Sequence, residues 1–146
     1  MIHIPPRVWI IGIASGWLLL LAPVLWPSWY WFRVDRVFVH DAVAGSTPLM
    51  EVEREIVRPF RGRWIATVMR SGSRGFYSYC AARGSNDYRP DAMLPDTVDL
   101  NWWTWPTECV LPEGTYRLNT LWTIQAPLFP DKEVRITSNV FVIAPR

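Results

Sequence analysis

One apolar segment constrains the architecture of this chain more than any other feature. It begins at Val8 and ends at Phe32, and none of its side chains is charged. An α-helix rises about 1.5 Å per residue, so that Val8 to Trp26 alone reaches roughly 28 Å, close to the thickness of a bilayer hydrocarbon core. The segment therefore predicts a transmembrane helix, and the rest of the chain is expected to work beside a membrane.

Aromatic residues at the ends of this segment predict where it meets the lipid headgroups. Trp and Tyr rings gather at membrane–water interfaces because one edge of the ring is apolar and the other is wet. Pro23 and Pro27 lack backbone donors, so we expect a kink at Pro23 and the end of the regular helix near Trp26. The residues predicted to lie at the two interfaces are Trp9, Trp26, Trp29, Tyr30 and Trp31.

Two glycines, Gly12 and Gly16, lie four residues apart and share one face of the predicted helix. Small residues on one face let a second helix approach closely. A second copy of the chain, giving a homo-oligomer, or a different membrane protein would fit this face. Glycine is also common in membrane helices generally, so the spacing alone leaves both interpretations open.

The anchor is expected to remain uncleaved. The apolar segment exceeds the roughly 7 to 15 residues of a signal peptide core, and Ala42-Val43-Ala44, which has the residue types of a cleavage site, lies well beyond Phe32. Flanking positive charges are nearly even, but large domains are translocated largely regardless of charge, and two cysteines suit an oxidising compartment. We therefore expect a single-pass protein of the bacterial inner membrane with its domain in the periplasm.

The predicted division is an anchor of residues 1–32 and one domain of residues 33–146. The second part is long enough for one domain with its own core. It holds every Lys and Arg except Arg7, fourteen in number, and all thirteen Asp and Glu residues. Its net charge is therefore near zero, which argues against a nucleic-acid binder working through a basic surface.

From Arg33 onward, the hydrophobic pattern has the period of two that is typical of β-strands. Residues 62–69 and 76–82 predict a hairpin closed by a loop at residues 71–75. Seven short strands with no amphipathic helix among them predict an all-β fold, an immunoglobulin-like antiparallel β-sandwich. The predicted strands cover residues 33–40, 50–57, 62–69, 76–82, 97–103, 115–125 and 134–143.

Alternation within three of these strands predicts which side chains share a face. In the strand at residues 50–57, the largely apolar face lies opposite three glutamates, as expected of a half-buried strand. The predicted faces are Met50, Val52, Arg54 and Ile56; then Tyr116, Leu118, Thr120, Trp122 and Ile124; and in the last strand Val134, Ile136, Ser138, Val140 and Val142 against Arg135, Thr137, Asn139, Phe141 and Ile143.

A long connection is predicted between residues 83 and 112, and such a loop is unusual in a compact domain unless it is functional or tied down. Cys80 and Cys109 enclose it, and a disulfide between them would be worth roughly 3 kcal/mol in the chain-entropy model. A nucleophilic Cys80 is less favoured because Tyr79 and Ala81 supply no base. In a cytoplasmic domain, both cysteines would instead be buried thiols.

The sequence offers little for catalysis. His40 beside Asp41 is no triad, and no Gly-x-Ser-x-Gly turn frames Ser46 or Ser138. Two cysteines and two histidines at these spacings match no zinc pattern, and no phosphate-binding or dinucleotide-binding glycine motif occurs. We expect no catalytic residue, no metal and no cofactor.

An aromatic cluster is the remaining candidate for a binding surface. It consists of Trp102, Trp103 and Trp105, with Tyr88 upstream. Successive strand residues point to opposite faces, so one of Trp102 and Trp103 is expected to be exposed unless both faces are covered. An exposed ring there would stack on a sugar or dock onto a partner protein. The alternative is that these rings fill the core under the long loop or lie against the membrane surface.

These residues also carry a resemblance. Trp102-Trp103-Thr104-Trp105-Pro106, then Cys109, then Pro112-Glu113-Gly114-Thr115-Tyr116 and Trp122-Thr123-Ile124 resemble short membrane-anchored proteins of alphaproteobacterial phages and prophages. The resemblance covers most of the chain. It implies a phage or prophage origin and assigns no catalytic residue.

The sequence leaves three functions open. The first is a non-enzymatic membrane-anchored interaction or assembly protein that contacts lipid and a protein partner and binds no nucleic acid. The second is an accessory subunit of a larger bacterial membrane complex. The third is a module that binds envelope carbohydrate or peptidoglycan.

Overall fold

The computed structural model describes residues 16–17, 21–100 and 109–146. Within these ranges, a 3-10 helical turn at Ser28–Tyr30 is followed by eight β-strands. They are β1 (Phe32–Val39), β2 (Ala42–Val43), β3 (Leu49–Ile56), β4 (Phe60–Gly72), β5 (Gly75–Tyr88), β6 (Thr97–Asp99), β7 (Gly114–Gln125) and β8 (Lys132–Ala144). The predicted all-β class is confirmed.

The strands form two sheets that enclose one core. The small sheet has the order β1-β3-β6, and the large sheet has the order β2-β8-β7-β4-β5. Neighbours are antiparallel, except that the short β2 runs parallel to β8. Buried side chains of both sheets belong to one hydrophobic cluster, including Met50 and Val52 of β3 and Tyr116, Leu118, Trp122 and Ile124 of β7. The molecule is therefore a β-sandwich, as predicted.

The alternation predicted for the last strand is wrong over its second half. A register irregularity occurs where β8 passes Arg117 and Asn119 of β7. After it, Phe141 and Ile143 are buried, whereas Val140 and Val142 are exposed. A bulge places two residues opposite one, so every later side chain changes face.

Asn139 lies at this irregularity and joins the two sheets. Its side-chain oxygen accepts the Val39 N–H at 2.7 Å, and its amide nitrogen donates to the Val39 carbonyl at 2.9 Å. Nearby, the Asp41 carboxylate accepts the Val142 N–H at 2.6 Å. These bonds hold the chain where it leaves β1 in the small sheet and enters β2 in the large one.

The predicted hairpin exists but is longer than expected. β4 and β5 pair from Phe60 with Tyr88 to Gly72 with Gly75, so two residues close the turn instead of five. Gly75 adopts a φ of 113°, which favours glycine. Within the pair, Gly84 lies under the Trp64 ring, and a Cβ there would come within 2.6 Å of it.

Trp31 and Phe32 correct the predicted boundary between anchor and domain. Both belong to the predicted apolar segment, yet both are buried in the sandwich core. Their backbone explains this placement, because Phe32 opens β1 opposite Ile56 and the Trp31 carbonyl accepts the Val57 N–H at 2.8 Å. The domain therefore begins before Arg33.

The predicted membrane span falls mostly on residues 1–15 and 18–20, which lie outside the described ranges. Residues 21–25 are helical and include Pro23, and the helix ends at Leu25, next to the predicted end at Trp26. In the part of the chain that is described, no helix has both the length and the apolar character that a membrane crossing needs.

Candidate functional site

The sandwich has two ends, which we call basal and distal. The basal end is where β1 begins and where the N-terminal helix joins the domain. The distal end is where β1 ends and β3 begins. Along β4, Phe60 lies at the basal end and Arg70 near the distal end, so that the two ends are about 33 Å apart at the usual rise of a strand.

Aromatic rings fix the N-terminal segment to the basal end. Phe129, in the turn between β7 and β8, contacts Trp31 with ring centroids 4.9 Å apart and Trp26 at 6.3 Å. Tyr30 packs edge to face on Trp26 and on Trp31, with ring centroids 5.2 and 5.0 Å apart. Such pairs add roughly 0.5–1.5 kcal/mol each beyond area burial. The segment is thus packed on the domain and not joined to it by a free linker.

Cationic side chains lie around this junction. The Arg58 guanidinium lies 3.9 Å from the Tyr30 ring centroid, and the Arg33 guanidinium lies 5.6 Å from the Trp29 ring centroid. The Lys132 ammonium donates to the Val24 carbonyl at the end of the helix, where a positive charge also complements the helix dipole. Cation–π and helix-end contacts therefore reinforce the aromatic packing.

The residues predicted to lie at the membrane interfaces divide into three groups. Trp26 and Trp29 are exposed, and Tyr30 is half-buried. Trp31 is only 4% exposed, so its assignment to the interface is wrong, because the ring is enclosed by Phe129 and Tyr30. Trp9 lies outside the described residues.

The predicted helix-packing face is half described. Gly16 is helical and exposed, and within the described ranges no atom lies within 4 Å of the position that its Cβ would take. Gly12 lies outside those ranges. Packing of a partner helix at Gly12 and Gly16 therefore stays a prediction.

At the distal end, the disulfide that the sequence predicts joins Cys80 of β5 to Cys109, with the Cα atoms 5.9 Å apart. The segment after Cys109 is held by two tyrosines. The Tyr79 hydroxyl donates to the Val110 carbonyl at 3.0 Å, and the Tyr116 hydroxyl donates to the Pro112 carbonyl at 2.7 Å. The chain entering β7 is therefore fixed to the large sheet.

Residues 101–108, which include Trp102, Trp103 and Trp105, lie outside the described ranges. The residues on either side of them are both near the distal end. Leu100 is buried, and its N–H donates to the Pro48 carbonyl just before β3 begins. Cys109 is cross-linked to Cys80, which pairs with Val68 toward the distal end of β4. Leu100 and Cys109, the described residues on either side of this segment, thus lie far from the N-terminal helix.

Tyr88 does not belong to an exposed surface. It is 6% exposed and stacks on Phe60, with ring centroids 4.9 Å apart and planes 11° apart. Its place in the predicted binding surface is wrong because β5 continues to Tyr88 and turns this side chain into the core.

A small polar pocket lies between the sheets beside Tyr88. Arg54 of β3 faces inward, as its alternation predicts, and donates to the Pro95 carbonyl at 2.9 Å. The cavity measures about 20 Å³ and is also lined by Trp64, Thr120 and Trp122. That is the scale of a water molecule and far below the roughly 300 Å³ of an organic ligand site. The pocket is therefore structural.

Burial perturbs the two titratable groups at this pocket. It lowers the pKa of Arg54, and the nearby Tyr88 and Asp96 oppose that effect. It raises the pKa of the Tyr88 phenol, while hydrogen bonds from Trp122 and Asn86 and the charge of Arg54 oppose the increase. Because the pKa of Tyr88 is raised above 10.0, the phenol stays protonated at neutral pH and is not poised to act as a base there.

Other charged side chains form exposed ladders on the small sheet. Arg36 lies 2.6 Å from Glu53, and His40 lies 2.7 Å from Glu51. Exposed pairs of this kind contribute little to stability. Within residues 16–17, 21–100 and 109–146, no group of three His, Cys, Asp or Glu side chains is arranged to hold a metal ion.

Sequence reasoning missed the basal turn formed by residues 126–129. The sequence pattern shows this segment only as the connection between the predicted strands at residues 115–125 and 134–143. Its importance comes from Leu128, which is 95% exposed, and from Phe129, which packs on the N-terminal tryptophans about one hundred positions earlier in the chain. No local pattern reports a contact across such a separation.

No protein-family model matches the chain, and neither the curated proteins nor the solved structures contain a match to it.

Proposed function

We propose that this protein is a membrane-anchored, non-enzymatic interaction protein whose β-sandwich presents its distal end to a protein partner. The observation that carries the proposal is the junction at the basal end. There, the helix that ends the apolar segment is packed against the sandwich by Trp26, Phe129 and Lys132. An anchor joined in this way holds the domain at a defined orientation instead of on a tether.

We further propose that the sandwich is immunoglobulin-like. Taking β1, β3 and β6 as strands A, B and E, and β8, β7, β4 and β5 as G, F, C and C′, each sheet has the neighbours of that fold. The bond from Tyr116 at the start of β7 to the Pro112 carbonyl matches the tyrosine corner of these domains, and Trp64 is a buried tryptophan on strand C.

One departure from that fold concerns the disulfide. The inter-sheet bridge of antibody domains joins strands B and F, with its second cysteine two residues after the tyrosine. Leu118 occupies that position here, and the disulfide joins β5 to Cys109. The bridge thus fixes Cys109, the residue that follows Trp102, Trp103 and Trp105 in the sequence, to β5. It supports the assignment of the domain to an oxidising compartment, which we propose to be the periplasm.

The distal end offers apolar surface for a partner. Val43, Val140 and Val142 are 45%, 54% and 44% exposed and lie on the outer face where β2 meets β8. We propose that this patch and the segment carrying Trp102, Trp103 and Trp105 form the contact surface, because aromatic residues dominate protein interfaces.

Gentle detergent extraction of the full chain from its host, followed by sizing and identification of co-migrating proteins, tests the proposal. We expect a stoichiometric partner that is lost with Trp103→Ala and retained with Met93→Ala, a fully exposed residue on the β5–β6 connection. Loss with Gly12→Leu and Gly16→Leu instead would move the contact to the helix. Migration as a lone monomer would contradict the proposal.

The same extraction decides between the remaining roles. A respiratory or transport complex as the partner would make the chain an accessory subunit of that complex. A virion or envelope protein would support the phage or prophage origin, which we propose from the sequence resemblance alone.

A separate binding assay tests the carbohydrate-binding role. Binding to purified peptidoglycan that Trp103→Ala abolishes would replace the protein partner with a glycan.

A further inference from the structure

We propose that the basal surface of the sandwich is itself a lipid-binding surface, seated on anionic headgroups with the tip of the β7–β8 turn inserted among them. The proposal rests on the membrane anchoring proposed above and adds a specific contact to it. The basal surface is defined by two sets of residues. The apolar set is Val24, Leu25, Trp26, Trp29, Val57 and Leu128, and the cationic set is Arg58, Arg61, Arg89 and Lys132.

Leu128 is the residue that points most directly to lipid. The Phe129 N–H donates to the Ala126 carbonyl at 3.2 Å, which closes a four-residue turn with Pro127 and Leu128 at its centre. Leu128 has a φ of 68°, the left-handed conformation that the third position of a type II turn requires and that normally selects Gly or Asn. A leucine there strains the backbone and leaves an apolar side chain 95% exposed. Insertion of the Leu128 side chain into lipid removes this apolar surface from water, which is favourable.

The position of Leu128 is fixed relative to the anchor. Its neighbour Phe129 packs on Trp26 and Trp31, the rings that hold the end of the N-terminal helix. Exposed Trp26 and Trp29 lie on the same surface. If the helix enters a bilayer, these rings and Leu128 meet it together, because they form one packed unit.

The cationic set gives the surface its preference for anionic lipid. In the described part of the chain, Arg58, Arg61, Arg89 and Lys132 form no ion pair with a carboxylate. Of the acidic residues at this end, Asp131 pairs with Arg63 at 3.3 Å, and Asp87 lies beside Arg61 and Arg89, so the cations still outnumber the acidic groups that face them. A Lys or Arg close to an anionic leaflet favours contact by about fivefold. The unpaired cations therefore face a surface of complementary charge.

The test places a spin label in the full chain within lipid nanodiscs. Leu128→Cys carries the label at the turn, and Leu49→Cys carries it at the distal end, where Leu49 is 47% exposed. Nanodiscs of phosphatidylglycerol and phosphatidylcholine are compared with nanodiscs of phosphatidylcholine alone. We expect relaxation at residue 128 by lipid-soluble oxygen and at residue 49 by a water-soluble nickel chelate. A water-exposed label at residue 128 in the anionic nanodiscs would overturn the proposal.

Charge variants test the electrostatic part. Arg61→Gln with Arg89→Gln is expected to weaken the lipid contact of the residue-128 label by about fivefold per charge in anionic nanodiscs. Arg74→Gln, at the tip of the β4–β5 hairpin, serves as the matched control and should change nothing. An equal contact in all variants and in both lipids would show that anionic headgroups do not hold this surface.

The two proposals fail in different ways. A chain that does not co-elute with nanodiscs contradicts both the anchoring and the basal lipid contact. A chain that co-elutes while its residue-128 label stays in water contradicts the basal contact alone, and the anchored domain would then stand away from the bilayer.

Discussion

Removing the disulfide should destabilise the sandwich by an amount that depends on the number of residues in the loop between Cys80 and Cys109. Cys80 and Cys109 are 29 positions apart, and the chain-entropy model gives about 3.6 kcal/mol for a closed loop of that size at 25 °C. A domain of this size loses about 4 °C of melting temperature per kcal/mol, so that Cys80→Ser with Cys109→Ser should melt about 14 °C lower than the oxidised protein.

Near-ultraviolet circular dichroism of the full chain in detergent measures this loss, because tryptophan signals report tertiary packing. Treatment with a reductant should lower the melting temperature of the natural protein and leave the double serine variant unchanged. A difference below about 1 kcal/mol would refute the reasoning. It would mean that the unfolded chain already keeps Cys80 and Cys109 close together without the bridge.

Three further predictions concern the core. Tyr116→Phe removes the bond to the Pro112 carbonyl and should cost about 1 kcal/mol in urea unfolding; no loss would argue against a structural tyrosine corner. Gly84→Ala places a Cβ 2.6 Å from the Trp64 ring and should cost about 1–3 kcal/mol by overpacking, measured in the same way. Because burial raises the pKa of Tyr88 above its ordinary value of 10.0, the folded state binds more protons than the unfolded state above about pH 10. Stability should be complete below that pH and fall above it, and Tyr88→Phe should reduce the fall in alkaline unfolding curves.

Strand positions were largely predictable from the sequence because the alternation of apolar and polar residues is a local pattern. Alternation along β3 and β7 reports directly which side chains face the core, and both faces are confirmed. β8 differs because its bulge depends on Ser138 and Asn139 bonding to other strands, with the Ser138 hydroxyl accepting the Leu118 N–H at 2.9 Å. The alternating pattern of the sequence gives no sign of the side-chain bonds of Ser138 and Asn139, which accompany the shift in register between β7 and β8.

The candidate site was less predictable because it depends on contacts between distant segments. The disulfide partners could be inferred, since only two cysteines exist. The sequence predicts Trp31 and Tyr88 at surfaces, but Trp and Tyr suit both interfaces and cores. Only the packing of Phe129 against Trp31 and of Phe60 against Tyr88 places these two rings in the core. The left-handed Leu128 has no sequence signal, because its turn position normally carries glycine.

Membrane retention of the full chain tests whether the apolar segment from Val8 to Phe32 anchors the domain in a bilayer. Membranes from expressing bacteria are washed with alkaline carbonate, which strips peripheral proteins, and the chain is detected in pellet and supernatant. We expect the natural protein to stay in the pellet. Leu19→Arg with Leu20→Arg adds about 2.5–3.5 kcal/mol of insertion cost per charge and should move the protein to the supernatant. A natural protein that the carbonate wash releases would contradict the membrane anchor on which the account depends.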